Sequence, residues 1–132
     1  MKIIADTNLL VRYFVRDDLA QYEQAKRILE EAERVVVTQL ALCELSWVLR
    51  SRYGVSRENI CATIALLRDT ANVVLDGGAY EAGLAMMAAG ADFADGVIDY
   101  EGRWLGGDTY VSFDKKAVTA VRQRGLPAKL LG

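Results

Sequence analysis

The chain has 132 residues, of which 52% are hydrophobic and 26% charged, and its formal net charge is −2. This length and composition predict one ordered globular domain over residues 1–132 and exclude disordered, collagen-like and linker classes. No apolar run approaches the roughly 20 residues of a membrane span, and Met1 leads directly into a strand pattern rather than a secretory leader. We therefore expect a cytoplasmic protein with no membrane contact.

The absence of histidine restricts the chemistry that the chain can perform. It excludes Ser-His-Asp and Cys-His nucleophile systems and HExxH zinc sites. Hydrolysis must then use carboxylates, lysine, hydroxyl groups or a metal ion. The acidic balance argues against broad electrostatic capture of DNA, because non-specific affinity comes mainly from phosphate neutralisation.

Short β-branched runs alternate with longer helical patterns along the chain. The predicted strands are 2–5, 35–37, 72–75, 109–113 and 129–131. The predicted helices are 9–15, 17–32, a third that follows the strand 35–37 at once and ends near Gly54, then 56–67, 79–89, 92–105 and 116–124. This alternation predicts an α/β domain around a central, mostly parallel sheet.

Two aspartates directly follow predicted strands. Asp6 follows the first strand and Asp114 follows a late one. Ligand sites of open parallel sheets form beyond the carboxyl ends of strands, so both carboxylates are candidates for one site. The alternative is that each merely caps the next helix.

Further acids lie on two predicted helices. Glu44 borders the apolar stripe of the third helix, where a carboxylate is either paired, bound to a metal or reaching water at the rim. Asp92, Asp95 and Asp99 share one helix face, opposite an apolar face that includes Val97 and Trp104. We expect Asp92 to be a helix cap and Asp95 to point forward, although three such acids also fit an ordinary solvated face.

These residues occur in a recognisable order. The runs IADTN at 4–8, ADFAD at 91–95 and SFD at 112–114, together with Glu44, resemble the PIN-domain family, particularly the VapC-type toxins of toxin–antitoxin pairs. The likeness spans essentially the whole chain. It implies a three-layer α/β/α domain.

The resemblance also assigns roles to residues. It implies that four acids hold Mg²⁺ or Mn²⁺ ions and form the catalytic site: Asp6, Glu44, Asp95 and Asp114. It implies supporting polar roles for Thr7, Asn8 and Ser112. The extra acids Asp92 and Asp99 leave the ligand assignment on that helix open, and Gly96 stands where alanine is common, at a cost of up to about 1 kcal/mol to the helix.

The implied activity is that of a metal-dependent endoribonuclease, the toxin of a toxin–antitoxin pair. A metal-activated water would hydrolyse RNA phosphodiester bonds and leave a 5′-phosphate and a 3′-hydroxyl. The implied partners are RNA, a cognate antitoxin protein and a second copy of the chain in a homodimer. Basic residues that flank the acid-bearing segments are candidates for guiding RNA: Arg12, Arg16, Lys115 and Lys116.

Two other functions fit parts of the pattern. An aspartate-pocket phosphotransfer enzyme also places an Asp after its first strand, but its phosphatase signature needs an acid where this chain has Asn8. A non-catalytic PIN-like module that only binds a partner would retain the fold. Clustered carboxylates that bind no cation argue against that module, because they repel one another.

Overall fold

The computed structural model describes residues 1–132 as two compact units, Met1–Asp76 and Gly77–Gly132, and each is described here by itself. The single nuclease domain expected over residues 1–132 stays a prediction. The first unit contains, in chain order, β1 (Lys2–Ile4), α1 (Thr7–Phe14), α2 (Leu19–Glu31), β2 (Arg34–Val36), α3 (Gln39–Ser51), α4 (Arg57–Asp69) and β3 (Val73–Val74).

The three strands of the first unit form a parallel sheet in the order β1-β2-β3. Ile4 pairs with Val36, and Val36 pairs with Val74. Two helices connect β1 to β2, and two more connect β2 to β3. Parallel strands require such long crossover connections. All three strands therefore end at the same edge, and the segments that leave this edge carry Asp6, Thr38 and Asp76.

Side-chain caps begin the helices of the first unit. Asp18 accepts a hydrogen bond from the backbone N–H of Gln21 at 3.0 Å, and Ser56 accepts one from Asn59 at 3.1 Å. The helix α1 packs against α2 and α3, and α3 packs against α4. The core side chains are fully buried: Leu10, Val35, Val37, Leu42, Leu45, Leu49, Ile60 and Ile64.

The second unit contains α5 (Gly77–Ala88), α6 (Phe93–Trp104), β4 (Tyr110–Ser112), α7 (Lys115–Gln123) and β5 (Ala128–Leu130). The strands β4 and β5 are parallel and are joined through α7. Gly90, with φ +89°, separates α5 from α6 in a backbone conformation that other residues rarely adopt. A compact apolar cluster lies beneath α7 and is formed by Met86, Ala91, Ala117, Ala120 and Val121.

A close helix contact organises the second unit. The helices α5 and α6 approach at two glycines: a Cβ on Gly96 would overlap the carbonyl oxygen of Ala82, and a Cβ on Gly83 would overlap the Phe93 ring. Gly96 is therefore placed where a side chain has no room. The helix-propensity cost predicted for this glycine is offset by a close backbone contact that positions α6.

The structure confirms the α/β class and the parallel pairing of strands. The strands form two sheets, one of three strands and one of two. The expected apolar face of α6 is wrong at Trp104, which is 76% exposed beyond the last core contacts of the helix. No helix combines the length and apolar character that a membrane crossing requires.

Candidate active site

Asp6 lies at the carboxyl end of β1 and is the N-cap residue of α1. Its Oδ2 accepts a hydrogen bond from the backbone N–H of Asn8 at 3.3 Å. The preceding residue, Ala5, still donates to the carbonyl of Val36 at 2.9 Å, so the sheet holds the backbone up to the aspartate. Asp6 is exposed, and its Oδ1 has no hydrogen-bond donor within the chain.

Glu44 lies on α3, the helix that packs against α1. Its side chain is exposed, whereas its neighbour Leu45 is fully buried. The structure therefore confirms the position of Glu44 at the border of the apolar stripe. Thr7, the first residue of α1, is buried at 9% exposure, and Asn8 is exposed.

Asp114 repeats in the second unit the arrangement of Asp6 in the first. It follows β4 and caps α7, and its Oδ1 accepts hydrogen bonds from the N–H groups of Lys116 at 2.9 Å and Ala117 at 3.2 Å. The hydroxyl of Ser112 accepts the N–H of Asp114 at 2.9 Å. Ser112 thus fixes the backbone that carries the aspartate, and Asp114 Oδ2 has no donor within the chain.

Asp95 lies in the first turn of α6, close to Asp114 and to Tyr110 of β4. The Tyr110 hydroxyl lies 3.5 Å from Asp95 Oδ1. Burial raises the pKa of Asp95, and the negative charges of Asp92 and Asp114 raise it further. Burial, followed by the charge of Asp95, raises the pKa of Tyr110 to about 12, so this phenol stays protonated at neutral pH.

The two additional acids of α6 have different surroundings. Asp92 occupies the N-cap position, but its side chain makes no capping hydrogen bond. The expectation that it caps α6 is therefore right for the backbone and wrong for the side chain. Asp99 is buried at 5% exposure, and both of its oxygens accept from Nε of Arg103, at 3.0 and 3.1 Å. The solvated-face alternative is wrong for Asp99, because a buried carboxylate requires such a partner.

The four candidate RNA-guiding residues differ in their contacts. Arg12 donates from Nη1 to Asp17 at 2.8 Å, and Arg16 lies over the Tyr22 ring with its guanidinium carbon 4.5 Å from the centroid. Lys115 and Lys116 are exposed at the start of α7, directly after Asp114. Their RNA contacts stay predictions.

Two of the four predicted ligands, Asp6 and Asp114, share one feature: a single oxygen is held by the chain and the second oxygen is free. Asp95 is instead held by two groups, the hydroxyl of Tyr110 and the backbone N–H of Asp92. A carboxylate held in this way is pre-oriented for a cation, and oxygen donors are the ligands that Mg²⁺ and Mn²⁺ prefer. The repulsion between Asp95 and Asp114 is also what a bound cation would relieve. The donor set therefore fits a divalent ion.

Within neither unit do three or more histidine, cysteine, aspartate or glutamate side chains form a group that could hold a metal ion. The pair that the structure brings together is Asp95 and Asp114. The convergence of all four acids at one centre stays a prediction.

The comparisons with known proteins decide the family. The PIN-domain family model matches residues 3–98, more than half of the chain. The chain belongs to the PIN-domain family. PIN domains are in general nucleases that use divalent metals, so this chain has a nuclease fold. The comparison with curated proteins found no match.

The family match covers part of the candidate site. Asp6, Glu44 and Asp95 lie within the matched residues, and Asp114 lies beyond them. The assignment of Asp114 therefore depends on its position after β4 and on its electrostatic effect on Asp95.

Sequence reasoning missed two residues of this PIN domain. Tyr110 contacts Asp95, and its position two residues before Ser112 puts both side chains on one face of β4, which the period of a strand could have indicated. Asp76 follows β3 and accepts from Nε2 of Gln39 at 3.0 Å. It is a further carboxylate at the edge where β1 and β2 end. The sequence could have indicated it in the same way as Asp6, because both aspartates directly follow a predicted strand.

Proposed function

We propose that this PIN domain is a metal-dependent endoribonuclease that acts as the toxin of a toxin–antitoxin pair in the cytoplasm. The observation that carries the proposal is that Asp6 and Asp114 each keep one carboxylate oxygen free, and that Asp95 lies close enough to Asp114 for their charges to repel. The family supports the nuclease activity, and it favours this function over the phosphotransfer alternative.

The residues that would hold Mg²⁺ or Mn²⁺ are Asp6, Glu44, Asp95 and Asp114. A bound divalent ion supplies a water of lowered pKa and neutralises charge on the leaving 3′ oxygen. The chain itself supplies orientation: backbone N–H groups hold one oxygen each of Asp6 and Asp114, and the Tyr110 hydroxyl contacts Asp95. The carboxylates do not need to reorganise when charge develops.

The proposed partners follow from the same resemblance. A cognate antitoxin would inhibit the nuclease, and the active form would be a homodimer. Basic residues follow the acidic ones along the chain in each unit: the half-buried Arg12 and the exposed Arg16 follow Asp6, and the exposed Lys115 and Lys116 follow Asp114. Such residues attract the phosphates of RNA towards a site that is itself acidic.

The test is cleavage of total cellular RNA by the wild type and by Asp6→Asn, each with Mg²⁺, with Mn²⁺ and with EDTA. Asparagine keeps the capping acceptor but removes the charge, so we expect at least about a hundredfold loss of cleavage with a folded protein. Mapping of the ends should show 5′-phosphates and 3′-hydroxyls.

The matched control is Asp18→Asn, which changes another capping aspartate in the same way at the start of α2. It should cleave RNA like the wild type. Equal cleavage by the wild type and Asp6→Asn would contradict the proposal, because it would identify a contaminating nuclease. Cleavage that persists in EDTA would contradict the metal requirement.

A further inference from the structure

A cavity of about 680 Å³ lies among α1, α2 and the end of α3 in the first unit. Its volume is within the range of small-ligand sites, roughly 300–1,000 Å³. Its lining residues are Asn8, Leu9, Arg12, Gln21, Gln24, Ala25, Ile28 and Arg52. The cavity begins beside the candidate active site, because the backbone N–H of Asn8 caps Asp6.

The cavity is positive although the chain as a whole is acidic. Arg12 and Arg52 line it, and no carboxylate does. Arg12 donates to Asp17 through its Nη1 only, so Nε and Nη2 of the same guanidinium are free. The second oxygen of Asp17 accepts from the hydroxyl of Tyr53 at 3.3 Å, which ties α1 to the segment that follows Arg52. The guanidinium of Arg52 has no partner within the chain.

The remaining lining combines amide groups with an apolar floor. The side-chain amides of Asn8, Gln21 and Gln24 make no hydrogen bonds within the chain and offer both donors and acceptors. Leu9 and Ile28 are half-buried and supply apolar surface. A ligand that complements this lining has an anionic group, hydrogen-bonding edges and a flat apolar face.

We propose that this cavity binds one nucleotide of single-stranded RNA adjacent to the nucleotide at Asp6, with its phosphate at Arg12 and Arg52. This inference rests on the proposed ribonuclease function. Guanidinium groups bind phosphate oxygens in a bidentate way, and unstacked bases of single strands are recognised by stacking and by hydrogen bonds to their edges. An RNA strand whose backbone reaches Asp6 must also cross the surface next to it. Asn8 connects Asp6 to the cavity, because its backbone N–H caps Asp6 and its side chain lines the cavity.

An acidic peptide is the competing ligand, because arginine also pairs with carboxylates. The amides and the apolar floor favour a nucleotide, since a side-chain carboxylate presents neither a base edge nor an aromatic face. Binding of an acidic peptide is therefore an outcome that the experiment must separate from binding of RNA.

The experiment measures the affinity of a fluorescent single-stranded RNA of mixed sequence in EDTA, with all variants made in the Asp6→Asn background. Arg52→Gln should weaken binding about tenfold, because it removes one charged phosphate contact. It should also lower the slope of log affinity against log salt by about 0.7, the value for one phosphate of a single strand. Gln24→Glu adds a charge to the cavity and should weaken binding at least as much.

The matched control is Arg27→Gln, which removes the same charge from an exposed position on α2 outside the cavity lining. It should bind RNA nearly as tightly as the parent. Equal affinities for the Arg52→Gln and Arg27→Gln variants would overturn the proposal. So would a loss of polyglutamate binding in Arg52→Gln while its RNA affinity is unchanged.

The same variants in the wild-type background separate this proposal from the ribonuclease function. If Asp6→Asn abolishes cleavage and Arg52→Gln cleaves RNA with an unchanged KM, the nuclease stands and the cavity proposal is overturned. If Arg52→Gln alone loses RNA affinity while Asp6→Asn cleaves like the wild type, the cavity binds RNA and the assigned nuclease site is wrong.

Discussion

The hydroxyl of Tyr110 lies 3.5 Å from Oδ1 of Asp95, so a neutral phenol faces a half-buried carboxylate. Asp95 and Tyr110 shift the pKa values of one another in opposite directions. The charge of Asp95 raises the pKa of Tyr110, whereas the hydrogen bond from Tyr110 opposes the rise in the pKa of Asp95 that burial causes. Tyr110 therefore keeps its proton and favours the charged form of the acid.

This relationship predicts how Tyr110 titrates. Its pKa of about 12 is raised from 10.0, first by burial and then by Asp95. Asp95→Asn removes the charge, so the pKa of Tyr110 should fall towards 10.0 without reaching it. The measurement is the ultraviolet absorbance of tyrosinate during a pH titration, with Tyr110→Phe identifying the signal. An unchanged titration in Asp95→Asn would contradict the contact.

Asp95 also predicts a pH dependence of stability in metal-free protein. The folded state binds the proton of Asp95 more tightly than the unfolded state, whose pKa is near 3.8. Stability should therefore decrease as the pH rises from 3.8 through the raised folded pKa. Asp95→Asn lacks this decrease and should be the more stable protein at neutral pH. Urea unfolding in EDTA across this range measures it, and a wild type that gains stability relative to the variant as pH rises would contradict it.

Divalent ions should oppose, in the wild type, the loss of stability that the charge of Asp95 causes. Mg²⁺ or Mn²⁺ binds the folded protein alone and should raise its melting temperature, to an extent set by the ion concentration relative to Kd. Asp114→Asn keeps an oxygen for the N–H groups of Lys116 and Ala117 but loses the charge, so the shift should be much smaller. Asp18→Asn is the control and should respond like the wild type. Equal shifts in all three proteins would indicate ion binding elsewhere.

The fold was predictable from sequence because its signals are local. Val35 and Val37 mark a buried strand by their branched side chains, and Asp18 and Ser56 mark helix starts by their caps. The surroundings of Asp99 were not predictable, because its burial depends on a contact between α6 and distant backbone. The partner, Arg103, also donates to the carbonyls of Asp108 at 2.6 Å and Pro127 at 2.9 Å.

The candidate site was predictable from the sequence only in part. Asp6 and Asp114 could be recognised because strand ends are visible in the sequence. The contact of Tyr110 with Asp95 joins residues 15 positions apart and depends on how α6 lies against β4. The cavity around Arg52 requires three helices to pack together, which no periodicity reports.

The Asp99–Arg103 pair should be important for stability. Its Nη2–Oδ1 distance is 2.9 Å, and the Asp99 side chain is only 3% exposed. Arg103→Met leaves a buried carboxylate without a partner and should cost about 3–5 kcal/mol in the free energy of unfolding. The control is Asp69→Asn at the exposed Arg68–Asp69 pair, where the loss should be below about 1 kcal/mol. Chemical denaturation measures both, and similar small losses would show that the buried pair is not needed.

Gly96 gives the sharpest prediction about packing, because two effects oppose one another. Alanine is the better helix former by about 1 kcal/mol, but its Cβ would overlap the Ala82 carbonyl oxygen and lie 2.9 Å from the Gly83 Cα. Backbone atoms cannot rotate away as a flexible side chain can, so the helices α5 and α6 must separate. We expect Gly96→Ala to be destabilising by about 2 kcal/mol.

The control is Gly102→Ala, on the same helix with nothing within 4 Å of its Cβ, which should instead stabilise the protein by up to about 1 kcal/mol. Thermal unfolding of the two variants shows which effect wins, and a Gly96→Ala protein as stable as Gly102→Ala would contradict the close approach.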